Sequence, residues 1–362
     1  MNPKLLHLLA LTYVPGIGVM NQRKILKVVE PEELWRFSSD ELKEIFQNNP
    51  DFLPHFESNE FLELAEKEIE YCTKNGIKIL SIDSPKYPEK LKECADSPLV
   101  LFKKGNYEFD KKLHIGIVGT RRMTNYGKGF IKSFIDDLGS QNIAIVSGLA
   151  YGCDIEAHRA CINYGIENVA VLGHNLSRIS PTQHKIDAER IIENGALLSE
   201  YSSFHSTEAM NFVLRNRIIA GICDAVVVVE SDRKGGSLLT ATYANNYNRE
   251  VFAVPGRIED KFSSGCNQLI QSHQAYMIRD AEDLLNYFNL RKQKKSVQKE
   301  LFIELEADEQ LIYDILKKKG RQQVDELMGH SELPVFKLNG TLLNLELKGV
   351  VKPLAGKFFE LS

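Results

Sequence analysis

The chain has 362 residues, of which 43% are hydrophobic and 26% charged, and its formal net charge is −4. That length exceeds one ordinary core and predicts two or three domains of an ordinary soluble protein. Neither end of the chain is basic, so neither reads as a nucleic-acid clamp working by bulk positive potential, and no run approaches the ~18 apolar residues of a membrane span.

Residues 1–70 carry 7 basic and 13 acidic side chains. Leu5, Leu8, Leu9 and Thr12 have helical spacing, Pro15-Gly16-Ile17-Gly18 is a tight turn, and Gln22 to Val29 reads as a second helix. The pattern predicts a small N-terminal helical domain of SAM-like or helix-hairpin-helix-like type. Its acidity favours packing or protein contact over a grip on DNA. The apolar start lacks a small-residue cleavage site, so it reads as a packed helix and the protein is expected in the cytosol. Residues 71–112 bridge into the main domain through strands at 77–82 and 99–102.

From His114 the pattern becomes regular. Apolar strands are predicted at 114–118, 143–146, 168–172, 196–199, 225–229, 251–254 and 275–278, with helical stretches between them. Ala225 to Val229 has no polar alternation, so both its faces must be covered. The expected fold class is therefore α/β, a Rossmann-like, doubly wound, mostly parallel sheet over 71–287. Ligands of such sheets sit beyond the carboxyl ends of the strands. The residues found there are small, glycine-rich and basic: Gly119 and Arg121, Ser147 and Gly148, and Gly235, Gly236 and Ser237. A glycine turn opening a helix is suited to a phosphate oxygen, because unpaired N–H groups and the positive helix end converge there. Ser237 can cap that helix or face the phosphate. Arg121, Arg215 and Arg217, with Asn216 between the last two, supply permanent charge and several donors each. The competing reading is ion pairing with Glu200, Glu208 or Asp224.

Residues 288–307 read as a charged linker. Residues 308–362 read as a C-terminal winged-helix domain, with helices at 308–319, 323–329 and 335–347 and a hairpin around Gly356. Its third helix offers Lys337, Asn339, Thr341, Asn344 and Lys348 but no arginine, which favours contact with protein over base reading.

Signatures of chemistry are missing. GIVGTRRMTNYGKG is not a dinucleotide fingerprint, RKGGSLLT lacks the P-loop lysine, and no hydrolase or zinc-protease word occurs. The six cysteines show no metal spacing and read as reduced thiols. His158 reads as a packing residue, and His184 with Asp187 lacks further ligands. No metal and no cofactor are expected.

Several words bear a closer resemblance: IVGTRRMTNYG (117–127), VSGLAYGCDIEAH (146–158), LLSEY (197–201), RNRIIAG (215–221), GGSLLTATYA (235–244), VFAVPG (251–256) and GCNQLI (265–270). Together they resemble the DNA-processing protein A (DprA/Smf) family. The resemblance implies a non-enzymatic protein that binds single-stranded DNA, dimerises through its Rossmann-like domain and loads a RecA-type recombinase during natural transformation. By motif it places Arg121, Ser147, Gly148, Arg215, Asn216 and Arg217 at the DNA, with Lys185 as the nearest candidate for a further family lysine. Three departures stand out. Ser180-Pro181 replaces a usual Tyr-Pro, removing a base-stacking ring. Phe212-Val213 replaces Phe-Pro, and His273 stands where glycine is common. Alanine at Arg121 or Arg217 is expected to weaken binding to single strands and flatten its salt dependence. The alternative is a nucleotide-binding enzyme, such as a nucleoside-monophosphate phosphoribohydrolase, with Glu200 and Glu230 as acid and base.

Overall fold

The strands of the main sheet are β1 (Lys78–Ser81), β2 (Val100–Gly105), β3 (Leu113–Val118), β4 (Ile143–Ser147), β5 (Asn168–Val171), β6 (Gly195–Ser199), β7 (Ala225–Val228), β8 (Glu250–Ala253) and β9 (Tyr276–Met277). In the computed structural model, which describes residues 2–46, 52–109, 112–139, 141–290, 305–354 and 356–361, they lie in the order β1-β2-β6-β5-β4-β3-β7-β8-β9. From β6 to β9 every neighbour is parallel. The chain winds outward from β3 to β6, then returns to β7 on the other side of β3. The order therefore reverses between β3 and β7, with Ile115 beside Ala225.

Alternation explains why the apolar runs need cover on both faces. Ala225 and Val227 join one core with Ile115, Ile117, Phe130 and Phe134. Val226 and Val228 join the other, with Ala144, Val146 and Ile218. The helix Asn125–Leu138 buries Gly127, Phe130, Ile131, Phe134, Ile135 and Leu138, a stripe at helical spacing.

The bridging segment is more than a connection. β1 and β2 extend the sheet, β2 running antiparallel to β6 with Phe102 beside Ser199. The helices Pro3–Tyr13, Val19–Ile25 and Glu60–Lys74 share the same core as this edge. Arg23 is bonded to the Cys94 carbonyl at 2.6 Å and to Ser97. Glu68 accepts from the Ser203 N–H at 2.9 Å. Residues 1–293 accordingly form one compact unit and 294–362 another. The Pro15–Gly18 turn is closed from within by Gln22, whose amide donates to the Ile17 carbonyl at 2.8 Å.

The second unit has its own core of Ile312, Leu316, Leu327, Leu338, Leu342, Leu345 and Val351. Helices Ala307–Lys319, Val324–Ser331 and Val335–Leu347 accompany strands β10 (Gln322–Gln323), β11 (Val351–Leu354) and β12 (Phe358–Leu361), in the order β10-β12-β11. This is the winged helix predicted from sequence. Lys337 of its third helix and Lys348 at that helix's end are tied to Asp308 and Glu309, while Phe336, Leu343 and Leu347 are exposed. Of the expected linker, residues 291–304 lie outside the described residues. No described helix is long and apolar enough to cross a membrane.

Candidate nucleic-acid interface

A cleft of ≈ 570 Å³ opens where β3, β4 and β7 end. It is the crevice at the switch point, where diverging connections leave a gap in the helical cover. β3 delivers Gly119, Thr120 and Arg121; β4 delivers Gly148 and Tyr151; β7 delivers Gly235, Gly236 and Ser237. Arg215 and Asn216 complete the wall, facing Ser180 and Pro181. Eight of the eleven residues singled out by sequence thus meet in one cleft.

The three arginines have different fates. Arg121 is exposed, and no described hydrogen bond or ion pair engages its guanidinium. Arg215 is buried; its Nη1 donates to the Gly148 carbonyl at 2.7 Å and to the Val171 carbonyl, and its Nε to Asn216 at 3.1 Å. Burial lowers its pKa, and nearby Asp154 opposes that shift. A Cβ on Gly148 would lie 2.4 Å from this guanidinium, so a larger residue there would push the arginine off its carbonyl bonds. Arg217 does not reach the cleft. It pairs with Glu200, with only 9% of its side chain exposed, and donates to the Asp96 carbonyl at 2.7 Å. The ion-pairing reading is correct for Arg217. Arg217→Ala should cost about 3–5 kcal/mol of stability, because it strands the Glu200 charge, and should leave the salt slope of DNA binding unchanged. Urea unfolding and fluorescence anisotropy at several salt concentrations check both halves.

Of the other expected residues, Ser147 and Lys185 stand outside the cleft, and Ser237, which lines it, is not a cap. Ser147 is fully buried and donates to the Ile117 carbonyl at 2.6 Å, so it braces β3 against β4. Lys185 lines a neighbouring hollow instead of the cleft. Ser237 does not cap its helix; its hydroxyl donates to Ser231 Oγ at 2.9 Å. The helix Gly236–Asn246 has no side-chain cap, and a Cβ on Gly236 would meet nothing within 4 Å. Its first residues, Gly236 and Ser237, line the cleft.

Other lining residues were not singled out by sequence. Tyr151 is 45% exposed, donates to Gln183 at 2.9 Å and packs edge-on against His184. It puts an aromatic face beside Ser180-Pro181, where the expected ring is missing. Asp154 opens the helix Cys153–Tyr164 beneath the cleft. Burial raises its pKa, against the pull of Arg215 and Arg121. Nothing in the words SGLAYG or GCDIEAH tells which of these side chains faces outward.

The two carboxylates proposed for catalysis are engaged elsewhere. Glu230 is buried and accepts from the Thr124 N–H at 2.8 Å and the Thr124 hydroxyl at 2.5 Å, anchoring the start of the helix Asn125–Leu138. Glu200 holds Arg217. Neither lines the cleft. Among the described residues no group of three or more His, Cys, Asp or Glu is placed to hold a metal. His184 bonds the Leu149 carbonyl and Asp187 pairs with Arg159.

His158 is a core residue. It bonds Asn168 Oδ1 at 2.8 Å through Nδ1, and its Nε2 has no partner. Burial pulls its pKa down to about 4. A histidine held neutral in the fold but free to charge when unfolded costs stability as pH falls from its ordinary pKa towards 4; above that window it contributes nothing. The loss should be on the order of 3 kcal/mol. Urea unfolding at about pH 7 and about pH 4.5 should show a shallower pH dependence for His158→Gln than for the natural chain.

Comparison with known proteins agrees with this fold. The family described as DNA recombination-mediator protein A matches residues 78–289, and the DprA winged helix domain matches residues 302–357. The chain belongs to the DNA recombination-mediator protein A family. It is 38% identical over 202 residues to the DNA processing protein DprA of Streptococcus pneumoniae, covering 56% of this chain and 71% of that one. The X-ray structure of the pneumococcal DNA processing protein A superposes with a TM-score of 0.68 at 31% identity, over 79% of this chain and 97% of that one. DNA processing protein A from Helicobacter pylori gives a TM-score of 0.53 at 28% identity, over 59% and 95%. Protein Smf of Synechocystis sp. is 39% identical over 197 residues, and there the match spans 53% of this chain and 50% of the relative's length.

Proposed function

We propose that this chain binds single-stranded DNA in the switch-point cleft, performs no covalent chemistry on it, and hands it to a RecA-type recombinase during natural transformation. The observation that carries the reading is the uncommitted Arg121 guanidinium beside an uncapped helix N-terminus in one cleft. Both suit a phosphate oxygen. The Helicobacter pylori relative is described as having a single-stranded DNA binding mode, which supports the same ligand here. Tyr151 offers a stacking face of the kind that sequence-tolerant binding requires. A duplex keeps its base faces stacked inside, so unpaired strands have the advantage. Two copies are proposed to pair through the Rossmann-like domain, and the exposed apolar face of the third winged-helix helix is assigned to protein contact. The phosphoribohydrolase reading loses its support, since its two carboxylates are spent on Arg217 and Thr124. A gel shift comparing single-stranded with duplex DNA, with and without a RecA-type protein, tests the proposal. Equal affinity for both forms, or release of free base from nucleoside monophosphates, would overturn it.

A further inference from the structure

Beside the cleft lies a second hollow of ≈ 360 Å³. One loop separates the two: Ser180 and Pro181 face the cleft, while Ser177, Arg178, Ile179 and Thr182 face the hollow. The hollow gathers three cations, Lys104 from β2, Arg178 from the loop, and Lys185 from the helix Lys185–Glu193. Arg178 spends one nitrogen on Thr207, at 2.6 Å. No described hydrogen bond or ion pair engages Lys104 or Lys185. Glu189 is the one acid on the lining. Lys185 stands at the first position of its helix, the positive end, where a cation is disfavoured. Helix stability therefore does not explain it. Apart from the hydroxyls of Ser177 and Thr182, the rest of the lining is apolar, including Leu176, Ile179 and Leu197.

Cations around an apolar floor fit a nucleotide, with phosphate at the rim and base on the floor. We propose that a DNA strand leaving the cleft crosses the Ser180-Pro181 ridge into this hollow, where Lys104, Arg178 and Lys185 hold its phosphates. The inference rests on the cleft being the primary DNA site, and it lengthens that site by a second basic step. Lys185 then acts on the DNA from outside the cleft.

Oligonucleotide length separates the two steps. Anisotropy with labelled oligo-dT of about 5 and about 20 nucleotides compares a length near the lower end of the ~4–16-nucleotide site sizes of sequence-tolerant binders with one above the upper end. The triple variant Lys104→Ala, Arg178→Ala, Lys185→Ala should bind the long oligomer roughly tenfold or more weakly, with a salt slope reduced by about 2, at 0.7 per phosphate contact. Its binding of the short oligomer should match the natural chain. The corresponding glutamine triple, which keeps the side-chain stems, is measured in parallel and takes over if the alanine triple melts early. Equal losses at both lengths, or no loss at either, would overturn the second step. Arg121→Ala is the control: a loss at both lengths keeps the cleft reading whatever the triple does, and no loss at either length sinks that reading on its own.

Discussion

Replacing Arg121 with alanine should weaken binding of single-stranded oligo-dT by roughly tenfold or more and lower its salt slope by about 0.7. The expectation follows from what this arginine lacks. Arg215 is buried under its bonds to the Gly148 and Val171 carbonyls, and Arg217 is spent on Glu200. Neither can turn to a ligand without breaking the fold. Arg121 is exposed on the lip of the same cleft with its donors unspent. Removing an exposed, unpaired side chain should change stability by less than about 0.5 kcal/mol, so a binding loss without a melting change assigns the effect to the ligand. Arg121→Lys should recover only part of the affinity, because an ammonium keeps the charge but not the two-pronged fork. Unchanged binding by the well-folded alanine variant would remove the strongest support for the cleft.

Most of the sheet was legible because its signals are local. Ala225 to Val228 could only be a strand covered on both faces, and its alternate residues enter two different cores. The strand ends located the rim, and the rim located the cleft. What could not be read was orientation. Arg215, Asn216 and Arg217 are consecutive on one turn, so they point about 100° apart. One goes beneath Gly148, one towards the cleft and one to Glu200, whose position at the end of β6 depends on the whole winding of the sheet. Ser147 shows the same limit. Its place at a strand end fits a ligand contact, yet its hydroxyl turns inward to Ile117. Tyr151 is the reverse case, an aromatic within a small-residue word whose exposure is decided by packing against His184, 33 residues further along the sequence.

Gly152→Ala should be the most damaging single-atom change near the site, for a reason seated in the backbone. The peptide of Thr120 is held from two sides: its N–H donates to the Glu230 carbonyl at 2.7 Å, and its carbonyl accepts from the Cys153 N–H at 3.2 Å. Gly152 presses on that same peptide with a φ of +77°. An added Cβ would lie 2.2 Å from the Thr120 carbonyl oxygen and 2.7 Å from the Arg121 Cα. Both neighbours are main chain, so no rotamer change can relieve the contact. Adopting such a φ costs a residue with a Cβ about 1–3 kcal/mol, before the collision is counted. The sum should reach at least about 3 kcal/mol, lowering the melting temperature by roughly 5 °C or more for a unit of this size. Relief requires the Gly152 turn and the Thr120–Arg121 segment to move apart, so DNA affinity should fall although Arg121 itself is retained. Gly236→Ala, whose Cβ would meet nothing within 4 Å, should melt close to the natural chain. If the two variants melted alike, the close approach at Gly152 could not be what fixes the arginine in place.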